Sequence, residues 1–223
     1  MENLNVIVHS IPLLITVLPM TIMILVIAFF FGVLIGIVLT FIRLGNRRFL
    51  KKAAAVYISF MRGTPLLIQL FLAYFGLPAI LGIAGINTAT WQNEAFAIIA
   101  FSLNLGAFLS EVFRSAYISV DKGQIEAAYS IGMNGMQAFR RIIFPQALRV
   151  AIPNMGNIII DMLKNTCLAF SIGVVDVMGK GTQLASAAFG VGQLGIFIGV
   201  AIIYIVVCTI MQKGFDLLER ALS

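Results

Sequence analysis

Long apolar runs joined by short polar stretches dominate the chain, and neither the period-two alternation of a half-buried strand nor the amphipathic stripe of a soluble helix organises them. A helix needs about 20 mostly apolar residues to cross about 30 Å of hydrocarbon. Windows of that kind run approximately from Leu14 to Ile42, Ala54 to Leu77, Ala95 to Ala116, Ile152 to Val175 and Gly192 to Gln212. They predict an all-α integral membrane protein of about five transmembrane helices, organised as one transmembrane domain over residues 1–223. The first window is long enough to include a short interfacial piece before Pro19. Between the third and fourth windows lies a region, residues 119–149, too polar to span and too helix-favouring to be a passive linker.

Composition sharpens this picture. The chain is 61% hydrophobic and 11% charged, where a soluble domain carries about 25% charged residues. Its formal net charge of +6 does not describe a nucleic-acid surface, because the basic residues sit in short joints between apolar runs. Thirteen of the fifteen Lys and Arg residues fall after the first span, around the 119–149 region or in the C-terminal tail. Positive charge is retained on the cytoplasmic side, so the N-terminus is expected outside and the C-terminus inside. The apolar N-terminal stretch is much longer than the core of a signal peptide and lacks a basic lead, so it reads as a permanent span. Cys167 and Cys208 lie within predicted spans and suggest neither a disulfide framework nor a metal site. One histidine, no HExxH, no GxSxG and no phosphate-binding GxxxxGK[ST] loop leave no sign of catalytic machinery or of a nucleotide site.

Polar residues inside the spans are the candidates for chemistry, because charge at mid-membrane is costly unless it faces protein or water. Asn154, Asn157, Asp161, Lys164 and Asn165 recur at intervals of three or four, which places them along one helical face. Asn104 reaches a similar depth. Two readings of Asp161 and Lys164 stand side by side: they line a path for a zwitterion, or they neutralise each other one helical turn apart. Gly63, Thr64 and Pro65 should interrupt the second span near its cytoplasmic mouth, with Arg62 before the break and Gln69 after it. Arg62 reads as an interface anchor or a partner for an acid, and Gln69 as a gate element or a substrate contact. Glu111 and Arg114 read as a local helix pair. Gly32 with Gly36, and Gly195 with Gly199, permit close helix approach within the chain or between chains.

The 119–149 region carries Glu126-Ala127-Ala128, three residues, Gly132, nine residues, then Ile142-Ile143-Phe144-Pro145. A short helix should end at Gly132, and a second amphipathic stretch before Pro145. This pattern resembles the E-A-A, G, I-x-L-P signature of the permeases of binding-protein-dependent ABC importers, with Phe144 in place of the Leu. Arg62-Gly63-Thr64-Pro65-Leu66-Leu67-Ile68-Gln69, Ser110-Glu111-Val112-Phe113-Arg114 and Lys164-Asn165-Thr166 are similar to elements of the polar amino-acid branch of that family.

The resemblance implies a type I ABC importer permease in a bacterial plasma membrane, moving a polar amino acid delivered by an extracytoplasmic binding protein. It implies no enzyme activity and no cofactor in this chain. ATP and magnesium would be used by two copies of a partner ATPase, and a second permease chain, identical or paralogous, would complete the pathway. Glu126, Ala127, Ala128, Gly132, Ile142 and Pro145 would couple to the ATPase. Asn104, Asn157, Asp161, Lys164, Asn165, Thr166 and Gln69 would line the substrate pathway, and Arg62, Gly63, Thr64 and Pro65 would lie near its gate. Cystine, arginine, histidine and glutamine all fit this branch, and the run Val56-Tyr57-Ile58-Ser59-Phe60 points towards cystine. The alternative is a secondary amino-acid transporter driven by an ion gradient, with Asp161 and Lys164 as its coupling groups.

Overall fold

A computed structural model describes residues 2–222 of the chain, with side-chain surroundings for residues 6–221. The described residues form helices in the order α1 (Glu2–Ile15), α2 (Leu18–Leu44), α3 (Arg48–Gly63), α4 (Leu66–Ile83), α5 (Asn93–Ile118), α6 (Lys122–Ser130), α7 (Gly135–Ile172), α8 (Val177–Ala187) and α9 (Gln193–Leu222). By length and composition α2, α4, α5 and α9 can each cross a membrane, and α7 with α8, bent by 47° after Ile172, makes a fifth span.

The most buried of these spans is α5, and its sequence explains why. Ala97, Ala100, Gly106, Ala107 and Ser110 leave little side chain in the way, so neighbouring backbones come close. The tightest approach is to α2. A Cβ on Gly32 would lie 2.6 Å from Leu105 Cβ, and one on Gly106 would lie 2.4 Å from Ile35 Cγ2. Gly36 repeats the contact one turn on, against Leu109. Across the same seam Thr40 Oγ1 donates to the carbonyls of Gly36 and Ser110. In α9, Gly199 sits against Ser10 and Leu14 of α1. The paired small residues therefore serve packing within the chain. Ile24, Leu25, Ala28, Leu70, Phe101, Leu105 and Leu163 form the core around α5.

Three element boundaries differ from the sequence reading. The residues before Pro19 form a separate helix, α1, which packs along α8 and α9 instead of leading into the first span. The window from Ala54 to Leu77 is divided between α3 and α4. Thr64, pushed out of the helical region by the following proline, has φ −115° and ψ 146°. Pro145 does not end a helix. It lies inside α7, where a π turn over Phe139–Ile143 widens the helix just ahead of it. Such a turn re-routes the hydrogen-bond ladder where a proline supplies no N–H.

Outward-facing side chains of α2 and α9, among them Val26, Phe30, Val38, Phe41, Ile205 and Ile210, are large and apolar. They are exposed on the surface of the chain, where in a bilayer they meet acyl chains.

Candidate functional site

Two polar regions lie at membrane depth, and they differ in accessibility. The first surrounds the α3–α4 break. In an unbroken helix the Met61 carbonyl would accept from the N–H of residue 65, but that residue is proline and has none. Gln69 fills the gap. Its Nε2 donates to Met61 O at 2.8 Å, Thr64 Oγ1 at 2.8 Å and Thr64 O at 3.1 Å. Asn104 Nδ2 donates to Gln69 Oε1 at 2.9 Å and to Met61 O at 3.3 Å. Gln69 and Asn104 are both buried. The break is thus held by two side-chain amides, and the Met61 and Thr64 carbonyls find internal partners, as backbone groups within a membrane must. Asn104 lies eleven residues into α5 from Asn93, about 16 Å at the helical rise. The break therefore meets α5 about 16 Å from its Asn93 end, at the start of the span α4. Gly63 is exposed and no atom would meet a Cβ there.

The second region is one face of α7. Asn154, Asn157, Asp161, Lys164 and Asn165 all point away from the rest of the chain. Lys164 Nζ pairs with Asp161 Oδ1 at 2.8 Å, with both side chains more than half exposed. Pairing and exposure, set against each other as readings of the sequence, occur together. Thr166 departs from this face: it is fully buried and donates to Leu163 O at 2.6 Å. The Leu66–Phe71 part of α4 packs against the 3-10 turn Thr166–Ile172 that ends α7.

Near the C-terminal end of α5, Glu111 receives Arg114 on its own helix and also Arg43 from the end of α2. Sequence reasoning saw only the local half, because Arg43 is 68 residues away. Tyr57 was missed as well; its hydroxyl donates to Leu103 O at 2.8 Å and ties α3 to the middle of α5. Asp176 lay outside the proposed sites too. Fully buried, it caps α8 through Gly179 N and accepts from the Tyr204 hydroxyl.

Residues 119–149 form a compact unit at one end of the bundle. Asp121 caps α6 by accepting from Gly123 N. The helix closes at Gly132, whose φ of 82° suits a glycine, with Met133 N donating back to Ala128 O at 3.1 Å. An Asn134–Gln137 capping box starts α7, and Gln146, which also bonds Ile142 O, joins Gln124 of α6. Ala128 is buried beneath this unit. Glu126, Ala127, Tyr129, Ile131 and Met136 stand on its exposed side. Beside them a concavity of about 460 Å³ is lined by Asn134, Met136, Gln137, Arg140 and Arg141. Ile142 and Pro145 lie on the first turns of the long α7 helix, half-buried and exposed respectively.

A bundle of apolar spans with one exposed polar face at membrane depth, resting on a capped cytoplasmic helix pair, defines a membrane transport subunit. Residues 32–223 match the model of the family described as binding-protein-dependent transport system inner membrane component, and the chain belongs to that family. It is 42% identical over 221 residues to the L-cystine transport system permease protein TcyL of Bacillus subtilis (strain 168), covering 99% of this chain and 92% of that one. It is 37% identical to the L-cystine transport system permease protein TcyB of the same organism, covering 91% and 83%. Among solved structures, the crystal structure of an amino acid ABC transporter with histidines superposes with a TM-score of 0.86 at 32% identity over 99% of both chains. The chain is an ABC importer permease subunit of the amino-acid type, and an inner membrane component.

Proposed function

We propose that this chain carries a polar amino acid, L-cystine foremost, through the membrane as one of two permease chains in an importer whose two ATPase subunits hydrolyse ATP with magnesium and whose extracytoplasmic binding protein delivers the substrate. The exposed polar face of α7 carries this reading. In a bilayer, Asn157, Asp161, Lys164 and Asn165 need water or protein beside them, and a path between two permease chains supplies both. The relatives named for L-cystine transport support the choice of substrate. Gln69, Asn104 and Thr166, satisfied by internal bonds, support the wall of this path, while Gly63, Thr64 and Pro65 form its hinge.

Coupling is assigned to residues 119–149. Glu126 meets the ATPase with a charge, Ala127 permits close approach, Ala128 seats the helix on α7, and Gly132 makes the turn that orients it. Ile142 and Pro145 pass its motion into α7. The test is reconstitution in proteoliposomes with the ATPase and the binding protein. ATP-dependent L-cystine uptake is expected from the wild type. Gly132→Asp, which sets a charged side chain at a left-handed turn that glycine adopts freely, should lower uptake at least about tenfold while the subunit still inserts. Unchanged uptake would remove the coupling assignment, and uptake driven by an ion gradient without the ATPase would overturn the whole reading.

With the N-terminus outside, Lys51 faces the cytoplasm and Lys180 the exterior. Lys180→Cys should react with an impermeant maleimide in intact cells and Lys51→Cys only after permeabilisation. The reverse labelling would invert every span.

A further inference from the structure

Arg47, Arg48, Lys51 and Lys52 crowd the start of α3, and no acid stands near them in sequence, since residues 3–93 contain neither Asp nor Glu. Folding does not supply one. No ion pair among the described residues includes any of the four. Arg47, Arg48 and Lys52 are exposed and Lys51 is half-buried. Arg48 and Lys52 stand one turn apart on α3, a spacing at which like charges repel. The first turn of that helix holds no acid to offset them.

The packing of α2 locates this cluster. Gly36, Thr40 and Arg43 of α2 meet Leu109, Ser110 and Glu111 of α5 in turn, so the two spans run to the same end of the bundle. Arg47 follows directly after α2 ends at Leu44, which puts the cations at the rim where the apolar span gives way to water. From there α3 runs inward, since Tyr57 bonds Leu103 in the middle of α5. Phe49, beside Arg48, is 82% exposed, and Val56 and Phe60, two and three turns on, continue the same face and are exposed too. Going inward along α3, positive charge comes first and an uncovered apolar stripe second.

We propose that the elbow between α2 and α3 binds an anionic phospholipid, with its phosphate among Arg47, Arg48, Lys51 and Lys52 and its acyl chains along Phe49, Val56 and Phe60. Charge complementarity decides for lipid. An anionic phospholipid carries its negative charge directly above its hydrocarbon, the same order in which α3 presents cations and apolar side chains. Basic clusters next to a span are drawn to such headgroups. The inference concerns the membrane-facing surface of the chain and stands whichever amino acid is carried.

The test is native mass spectrometry of the delipidated permease–ATPase complex, titrated with dioleoylphosphatidylglycerol or with zwitterionic dioleoylphosphatidylcholine, which has the same acyl chains. The wild type should bind phosphatidylglycerol at least about tenfold more tightly. Arg48→Gln with Lys52→Gln, which leaves Arg43, Arg47 and Lys51 to hold the orientation of the spans, should cut that preference at least about fivefold. Arg48→Lys should keep it. Lys213→Gln with Arg220→Gln removes the same charge from the end of α9 and should also keep it. Equal binding of the two lipids by the wild type, or the wild-type preference in the Arg48→Gln/Lys52→Gln complex, overturns the proposal. An equal loss in the α9 variant overturns it as well, because the effect would then be one of net charge. Displacement of the lipid by inorganic phosphate alone would make the ligand a free anion. Phosphatidylglycerol bound by the isolated permease but not by the complex would place the ATPase on this surface, and either result overturns the assignment to lipid.

Discussion

Gly106→Val should prevent the native seam between α2 and α5 from closing. A Cβ at this position already falls 2.4 Å from Ile35 Cγ2 and 2.7 Å from Ile35 Cβ. Ile35 is β-branched and stiff at χ1, so it cannot swing aside, and the added methyl groups deepen the clash. Overpacking of this kind costs about 3 kcal/mol or more. The expected result is a large fall in the midpoint of thermal unfolding of the detergent-purified chain, together with loss of its monodisperse peak. Gly63→Ala is the control, because nothing lies within 4 Å of a Cβ there. If Gly106→Val melts with the wild type, the α2–α5 approach described above is wrong.

Gln69→Leu removes the amide that caps the carbonyls left open by Pro65. Leucine nearly matches the volume, so the loss is one of hydrogen bonding. A buried acceptor left without a donor costs about 1 to 3 kcal/mol. Asn104 can still reach Met61 O, but its bond to Gln69 Oε1 is gone. The two amides share partners, so a double-mutant cycle with Asn104→Leu should show coupling of about 0.5 kcal/mol or more. The measurement is the unfolding midpoint of both single variants and the double. Strict additivity would mean that the two amides act independently and that the α3–α4 break is held by something else.

The spans themselves were legible because about 20 apolar residues in a row admit few alternatives. Their interruptions were legible only in part. Gly63-Thr64-Pro65 announced a break, but what holds it includes Asn104, 43 residues from Met61 in sequence. A usable signal was present: Gln69 follows Pro65 by one helical turn inside an apolar helix, the position from which an amide reaches the carbonyl a proline leaves open. Pro145 misled because a proline after an amphipathic stretch usually marks an end, and nothing local distinguishes a terminus from a π turn. The polar face of α7 could be read from its spacing of three and four. Its exposure could not, since a polar stripe faces a neighbouring helix of the same chain just as well. Arg43 could not be joined to Glu111 by any local rule, because the contact exists only once α2 and α5 have packed.

The π turn before Pro145 has a mechanical consequence. By passing the proline without a stop, it leaves Gly135–Ile172 as one continuous helix of 38 residues, a rod about 57 Å long. Its foot is clamped to α6 through Gln124 and Gln146, and its far end, at Ile172, leads into α8. A rotation of about 5° at the foot would sweep the far tip through about 5 Å, roughly the pitch of one helical turn. A small displacement at the foot is thereby magnified into a shift at the far tip as wide as a side chain.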